Sequence, residues 1–219
     1  MSVLINASRN ASRTGLILLV FALVGTAGLA WTFGLAHPAI EASEKRERLL
    51  LLNQVMPPGL YDNDLIGSQR QIPASDLLGT RMPSAVWIAR KGGQITGLVL
   101  EATAPDGYSG DIALLIGLNT EGEILGVRVT AHHETPGLGD YIDIAKSDWI
   151  REFDGHSLAR PEPKQWKVRK DGGAFDSVAG ATITPRAVVK AVKSALEYVS
   201  AHRAELLGGP SSPNQEPTS

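Results

Sequence analysis

No cysteine occurs among the 219 residues. That absence excludes disulfides, thiolate metal sites, cysteine-ligated iron–sulfur clusters and cysteine nucleophiles in this chain, so any redox role must rest on a bound cofactor. It also suits an oxidising compartment. A basic excess is missing too. The 21 Lys and Arg stand against 23 Asp and Glu, for a formal net charge of −2, which leaves nucleic acid without an electrostatic reason to bind. The phosphate loop with its lysine, the Gly-x-Ser-x-Gly elbow and the His-Glu-x-x-His zinc motif are likewise absent. Nucleoside triphosphate binding and the common hydrolase classes are therefore not indicated.

What is present begins with residues 15–35, a run of 21 residues without a formal charge. At about 1.5 Å per residue it reaches roughly 30 Å, enough to cross the hydrocarbon core of a membrane. It is longer than the apolar core of a secretory signal, so a retained anchor is expected, although Gly28-Leu29-Ala30 and Gly34-Leu35-Ala36 have the small-x-small form of cleavage sites. Arg9 and Arg13 precede the span, while Lys45, Arg46 and Arg48 follow it among glutamates. The basic count is therefore nearly balanced. The anchor's position and the missing cysteines set the expectation: 1–14 cytoplasmic, one span over 15–35, and the soluble part outside the cytoplasm, at the periplasmic side of a bacterial inner membrane.

Residues 36–84 read as a linker. Within it, 39–56 predicts an amphipathic helix with a dense apolar patch at Leu49, Leu50, Leu51 and Leu52, stopped by Met56-Pro57-Pro58-Gly59. Residues 61–81 are polar and read as irregular. Residues 85–207 then form the expected main domain. Two hairpins are legible, 85–89 with 94–103 about Lys91-Gly92-Gly93, and 112–118 with 123–131 about Asn119-Thr120-Glu121-Gly122. They repeat one another: Gly93, Gln94, Ile95, Gly97 and Ala102 match Gly122, Glu123, Ile124, Gly126 and Ala131. A twisted antiparallel sheet of repeated hairpins flanked by helices, an α+β fold, is the reading. Residues 147–153 predict a short amphipathic helix with Trp149, Ile150 and Phe153 inward, and 164–170 a strand alternating Trp166 and Val168 with Lys167 and Arg169. Residues 208–219 are rich in Gly, Pro and Ser and read as a disordered tail.

Two loops carry candidate chemistry. The first, Lys170-Asp171-Gly172-Gly173 through Gly180-Ala181-Thr182, runs into a helix in which Val188, Val189, Val192, Ala195, Leu196 and Val199 recur at helical spacing. Thr184 is placed to cap that helix and Pro185 to take its first position. The free amides of the first turn then favour an anion beside Thr182, and Lys170 could neutralise it. In the second loop, His132-His133-Glu134-Thr135-Pro136-Gly137-Leu138-Gly139, the adjacent histidines would point to opposite sides of a strand, and no third ligand stands at a zincin spacing. No metal is expected. A loop cradling a planar ligand is compatible with the glycines and with the hydrogen-bonding groups of Glu134 and Thr135.

Asp176 followed by Val178-Ala179-Gly180-Ala181-Thr182 resembles the flavinylation motif of FMN-binding domains, with Ala179 where that family often has serine or threonine. The resemblance implies that a flavin transferase esterifies the FMN phosphate to Thr182. With His-Glu-Thr-Pro-Gly-Leu-Gly about 45 residues earlier, the pattern resembles the G subunit of the Rnf (Rsx) electron transport complex, and is similar to the C subunit of the sodium-pumping NADH:quinone reductase. The likeness runs from the anchor to about Leu207. It implies a flavin site at His132, Glu134, Thr135, Leu138 and Gly139, beside Gly180, Ala181, Thr182 and Thr184. On that reading the chain is a membrane-anchored electron carrier among the other membrane subunits of an ion-translocating complex, without substrate turnover of its own. The alternative is a non-redox assembly subunit.

Overall fold

The first helix, α1 (Ser2–Val55), opens the chain in the computed structural model, which describes residues 2–178 and 180–208, the side chains of 2–14, 35, 36, 38, 39, 41 and 42 excepted. Two helices are predicted over 15–35 and 39–56. They form one, because the helical backbone runs through Pro38 and stops at Val55 before Pro57 and Pro58. Within it, Gly15–Gly34 has a mean hydropathy of 2.2 and is wholly unburied, so its length and composition suit a membrane span. The chain divides into two compact units, one ending at Glu47 and the other starting at Arg48.

The second unit is built on a five-stranded antiparallel sheet whose strands lie in sequence order: β1 (Arg70–Ile72), β2 (Ser84–Lys91), β3 (Gln94–Ala104), β4 (Ile112–Asn119) and β5 (Ile124–Ala131). Both predicted hairpins are there. The first turns on Gly92-Gly93, both at positive φ, which matches the strand twist. In the second, the Asn119 side chain accepts from the amides of Glu121 and Glu123 at 2.9 Å each.

Alternation along the strands fills two cores rather than one. On one face Val86, Ile88, Leu98, Leu100, Leu114 and Ile116 pack under α2 (Ile183–Ala201), whose Val188, Val192, Ala195 and Leu196 face them. On the other, Ala85, Trp87, Val99 and Leu115 meet Leu52, Val55 and Met56 at the end of α1. Each Val, Leu, Ile or Met side chain buried in this way contributes about 1.5–3 kcal/mol. The end of α1 approaches so closely that a Cβ on Gly117 would stand 2.0 Å from the Val55 carbonyl oxygen, one on Gly97 2.9 Å from Met56 Cε, and one on Gly126 3.1 Å from Val55 Cα. Gly97 and Gly126 are the matched glycines of the repeat. The repeat thus clears two strands for the same passing segment.

Three further sequence expectations change. Residues 61–81 are not irregular: they supply β1, the edge strand, and the buried Leu65, Ile72 and Leu78, which the polar composition around them hides. The 147–153 helix is a 3₁₀ helix, Asp148–Phe153, capped by Ser147 Oγ accepting from the Trp149 amide at 3.0 Å, with Trp149, Ile150 and Phe153 buried as expected. No strand forms over 164–170. The segment instead closes on its own sequel: the Ala174 amide donates to the Gln165 carbonyl, Phe175 to Lys167 and Arg169 to Phe175. Trp166 and Val168 are buried and Lys167 and Arg169 exposed, so the alternation is real, but it seats a loop on Phe153 and Phe175. Of the predicted tail, 209–219 lie outside the described residues.

Candidate functional site

The N-terminus of α2 organises the site, though not as the sequence suggests. The helix begins at Ile183 with Thr182 as its flanking residue, and no side chain caps it. Thr184 lies inside the first turn, where its hydroxyl donates to Glu134 Oε2 at 2.6 Å, and Pro185 is the third helical residue rather than the first. Thr184 is therefore no cap. The amides of Ile183 and Thr184 have no intrahelical acceptor by position, and Pro185 has no N–H to leave unpaired.

Glu134 is the partner that drew Thr184 inward. It is only 4% exposed, and a buried carboxyl group is tolerated only when its oxygens are hydrogen-bonded. Its Oε1 accepts from the Ser109 amide at 3.0 Å and its Oε2 from Thr184. One side chain thus joins the β3–β4 loop, the exit of β5 and the start of α2. The Glu134 amide in turn donates to His132 Nδ1 at 3.1 Å. Gly139 follows from the same packing, since a Cβ there would stand 2.6 Å from Glu134 Oε2 and 3.0 Å from Thr184 Oγ1.

These elements enclose a cavity of about 180 Å³. Glu134, Thr135, Leu138 and Gly139 line it from the β5 side, and Gly180, Ala181, Thr182 and Thr184 from the α2 side. Eight of the ten candidate residues are thus brought together. His132 does not line the cavity and acts on it through the Glu134 backbone. Lys170 is exposed on a separate 3₁₀ turn, Arg169–Asp171, away from the lining. Two lining residues, Tyr108 and Ile183, escaped sequence reasoning. Only the pairing of β3 with β4 brings Tyr108 here, and no local motif marks it.

Behind the cavity the 176–181 loop is held from below. The Tyr141 hydroxyl accepts from the Val178 amide at 3.3 Å and reaches the Ala181 carbonyl at 3.5 Å. Trp149 Nε1 donates to the Asp176 carbonyl at 2.8 Å, the Asp176 amide to Glu152 Oε2 at 2.8 Å, and Arg169 pairs with the Asp176 carboxylate at 2.9 Å. Burial pushes the Tyr141 phenol up, opposed by the Val178 amide, and pushes the Glu152 carboxyl up, opposed by the Asp176 amide. Ala179 lies outside the described residues. A larger cavity of about 580 Å³ opens on the other face of the sheet, beside Trp87, Leu115 and Arg81, and holds none of the candidate residues. The smaller one is where the chemistry-bearing groups converge.

Two family models match the chain: an FMN-binding domain over residues 107–197 and an RnfG N-terminal region over residues 1–55. The chain is similar to the G subunit of the ion-translocating oxidoreductase complex of Pseudomonas aeruginosa (strain UCBPP-PA14), with 48% identity over 199 residues, covering 91% of this chain and 93% of that one. It is similar to the G subunit of the same complex from Vibrio cholerae serotype O1 (strain ATCC 39541 / Classical Ogawa 395 / O395), with 47% identity over 198 residues, covering 90% and 94%. Among solved structures it is similar to the C subunit of the Na(+)-translocating NADH-quinone reductase from Parabacteroides distasonis ATCC 8503, with 21% identity, coverage of 69% and 70%, and a TM-score of 0.42.

Proposed function

The chain belongs to the G-subunit family of the ion-translocating oxidoreductase complex, and from that membership we propose that it carries electrons through an FMN joined by a phosphoester to Thr182. Coarsely, it is a membrane-anchored flavoprotein subunit of an electron-transport complex. The attachment residue, the flavin transferase that loads it and the periplasmic side of the inner membrane are the finer parts of the proposal.

The observation that carries the reading is the place of Thr182. It is half-buried, in the cavity lining and directly ahead of α2. A phosphate on its hydroxyl would meet the amides of Ile183 and Thr184 at the positive end of the helix dipole. The cavity also fits a cofactor held by one end. Its 180 Å³ is below the roughly 300–1,000 Å³ of pockets that engulf a ligand of this size, and the residues about its mouth are open: Tyr108 is 68% exposed, Leu138 52% and Ile183 48%. When bound, FMN would supply reversible electron transfer. The chain's own residues bind and orient. Thr182 provides the ester oxygen, Leu138 and Ile183 offer apolar surface, and Glu134 with Thr184 keeps the two loops in register. Covalent attachment keeps the cofactor's local concentration high without engaging its ring, whose electronics nearby groups can tune.

Purification beside an active flavin transferase tests the reading. A yellow chain whose colour survives acid precipitation supports it, and a colourless one favours the assembly subunit. Leu138→Glu is expected to leave folding intact, because that side chain is half-exposed, while shifting the absorption spectrum of the attached flavin. An unchanged spectrum and potential in the folded variant would remove this loop from the site. For orientation, a C-terminal reporter that works only outside the cytoplasm is expected to be active. Activity of a cytoplasm-only reporter at that position would overturn the periplasmic placement.

A further inference from the structure

Residues 160–193 carry eight Lys and Arg against three Asp and Glu, in a chain whose formal net charge is −2. The fold gathers part of this excess. A depression of about 420 Å³ between the 166–171 segment and α2 is lined by Lys167, Asp171, Arg186, Lys190 and Lys193, with Trp166 in its wall. Asp171 is already engaged, accepting from Arg186 Nε and Nη2 at 2.6 Å each. Lys190 reaches Asp106 at 2.5 Å and Lys193 lies 3.5 Å from Glu197. Lys167 forms no salt bridge among the described residues, and Lys164 and Lys170 beside it are exposed. The depression therefore presents net positive charge to whatever approaches it.

Its position gives that charge a use. The Arg186 amide bonds to the Thr182 carbonyl at 3.4 Å, so the wall starts one turn of α2, about 5.4 Å, from the proposed attachment residue. On the cavity side, Leu138, Val178 and Ile183 stand half-exposed. An apolar centre with a charged rim is how protein contacts are commonly arranged, and complementary charge speeds their encounter. We propose that this cationic depression docks an acidic patch on the protein that exchanges electrons with this chain and sets that partner against the cavity mouth. The proposal rests on the reading of the chain as an electron carrier. An acidic protein suits the site better than an anionic membrane surface does: the depression is concave, and the half-exposed Leu138 and Ile183 line the cavity that an electron partner has to reach.

The test uses the intact complex, with this chain carrying Lys167→Glu and Lys193→Glu together. Flavin content is read by intact mass, and reduction of the flavin by stopped flow across a range of ionic strength. The expected result is unchanged flavin content, reduction at least tenfold slower at low salt, and a flattened salt dependence. Lys167→Arg with Lys193→Arg should keep the parent rate. Retained flavin with an unchanged rate and salt dependence would overturn the proposal. So would an equal loss in the arginine pair, or loss of flavin in the glutamate pair alone. Weakened binding to vesicles of anionic phospholipid with an unaltered rate would assign the surface to the membrane instead. If the parent complex carries no flavin on this chain, the carrier reading itself fails and takes this proposal with it.

Discussion

Thr182→Val is expected to give a folded chain with no attached flavin. Valine keeps the β-branched shape and removes the only oxygen at this position that could form a phosphoester. Thr182 makes no capping bond in α2, so the helix loses nothing that its hydroxyl supplied. Thr184 is the nearest competing hydroxyl. Its side chain is 1% exposed and committed to Glu134 at 2.6 Å, which withdraws it from both solvent and an incoming phosphate. Thr182→Val should accordingly lose all covalent flavin fluorescence on a denaturing gel while its unfolding midpoint stays within experimental error. Fluorescence retained at the parent level would mean that another residue carries the cofactor.

Glu134→Ala is expected to be the costlier change for the fold, at about 3 kcal/mol. It leaves the Ser109 amide and the Thr184 hydroxyl without their acceptor in a buried place, and hydrogen bonds to a charged group are worth about 1.5–3 kcal/mol each, non-additively. It also removes the buried link between the β3–β4 loop and the start of α2, leaving the exposed Lys190–Asp106 pair between them, so the cavity should open and flavin loading fall with stability. Glu134→Gln separates the two roles. The amide keeps an acceptor for Ser109, and the Thr184 hydroxyl can turn to accept from the new NH₂ group, so the loss should be below about 1 kcal/mol. Denaturant unfolding of both variants, with flavin content beside it, checks the order. Equal losses in the two would show that shape rather than hydrogen bonding holds this junction.

What could be read in advance was what lies close together in the chain. The hairpins at 92–93 and 119–122, the apolar stripe of α2 and the end of α1 before Pro57 and Pro58 all rest on turn chemistry or periodicity. The two loops that meet at the candidate cavity were singled out as well, one from its glycines and threonines and the other from its His-Glu-Thr-Pro-Gly-Leu-Gly run. What escaped depends on pairings between distant residues. Thr184 passes every local test for a cap, and only Glu134, fifty residues earlier, makes it an inward-facing hydrogen-bond donor. Trp166 and Val168 alternate as a strand would, yet the Gly172–Gly173 turn sends the chain back onto itself, and a Cβ on Gly173 would stand 1.9 Å from the Lys167 carbonyl oxygen. Tyr108 and Tyr141 reach the site through the β3–β4 turn and a 3₁₀ turn, and neither has a sequence signature. Lys170, although close to Thr182 in sequence, is exposed and does not line the cavity.

Peptide mass mapping of the chain purified from its native membrane tests the central claim most directly. Trypsin should release residues 171–186 as one peptide, bounded by Lys170 and Arg186 and containing both Thr182 and Thr184. The predicted result is one FMN phosphoester on this peptide, with fragmentation placing it on Thr182. An unmodified peptide from a chain loaded beside an active flavin transferase, or FMN located on Thr184, would contradict the account.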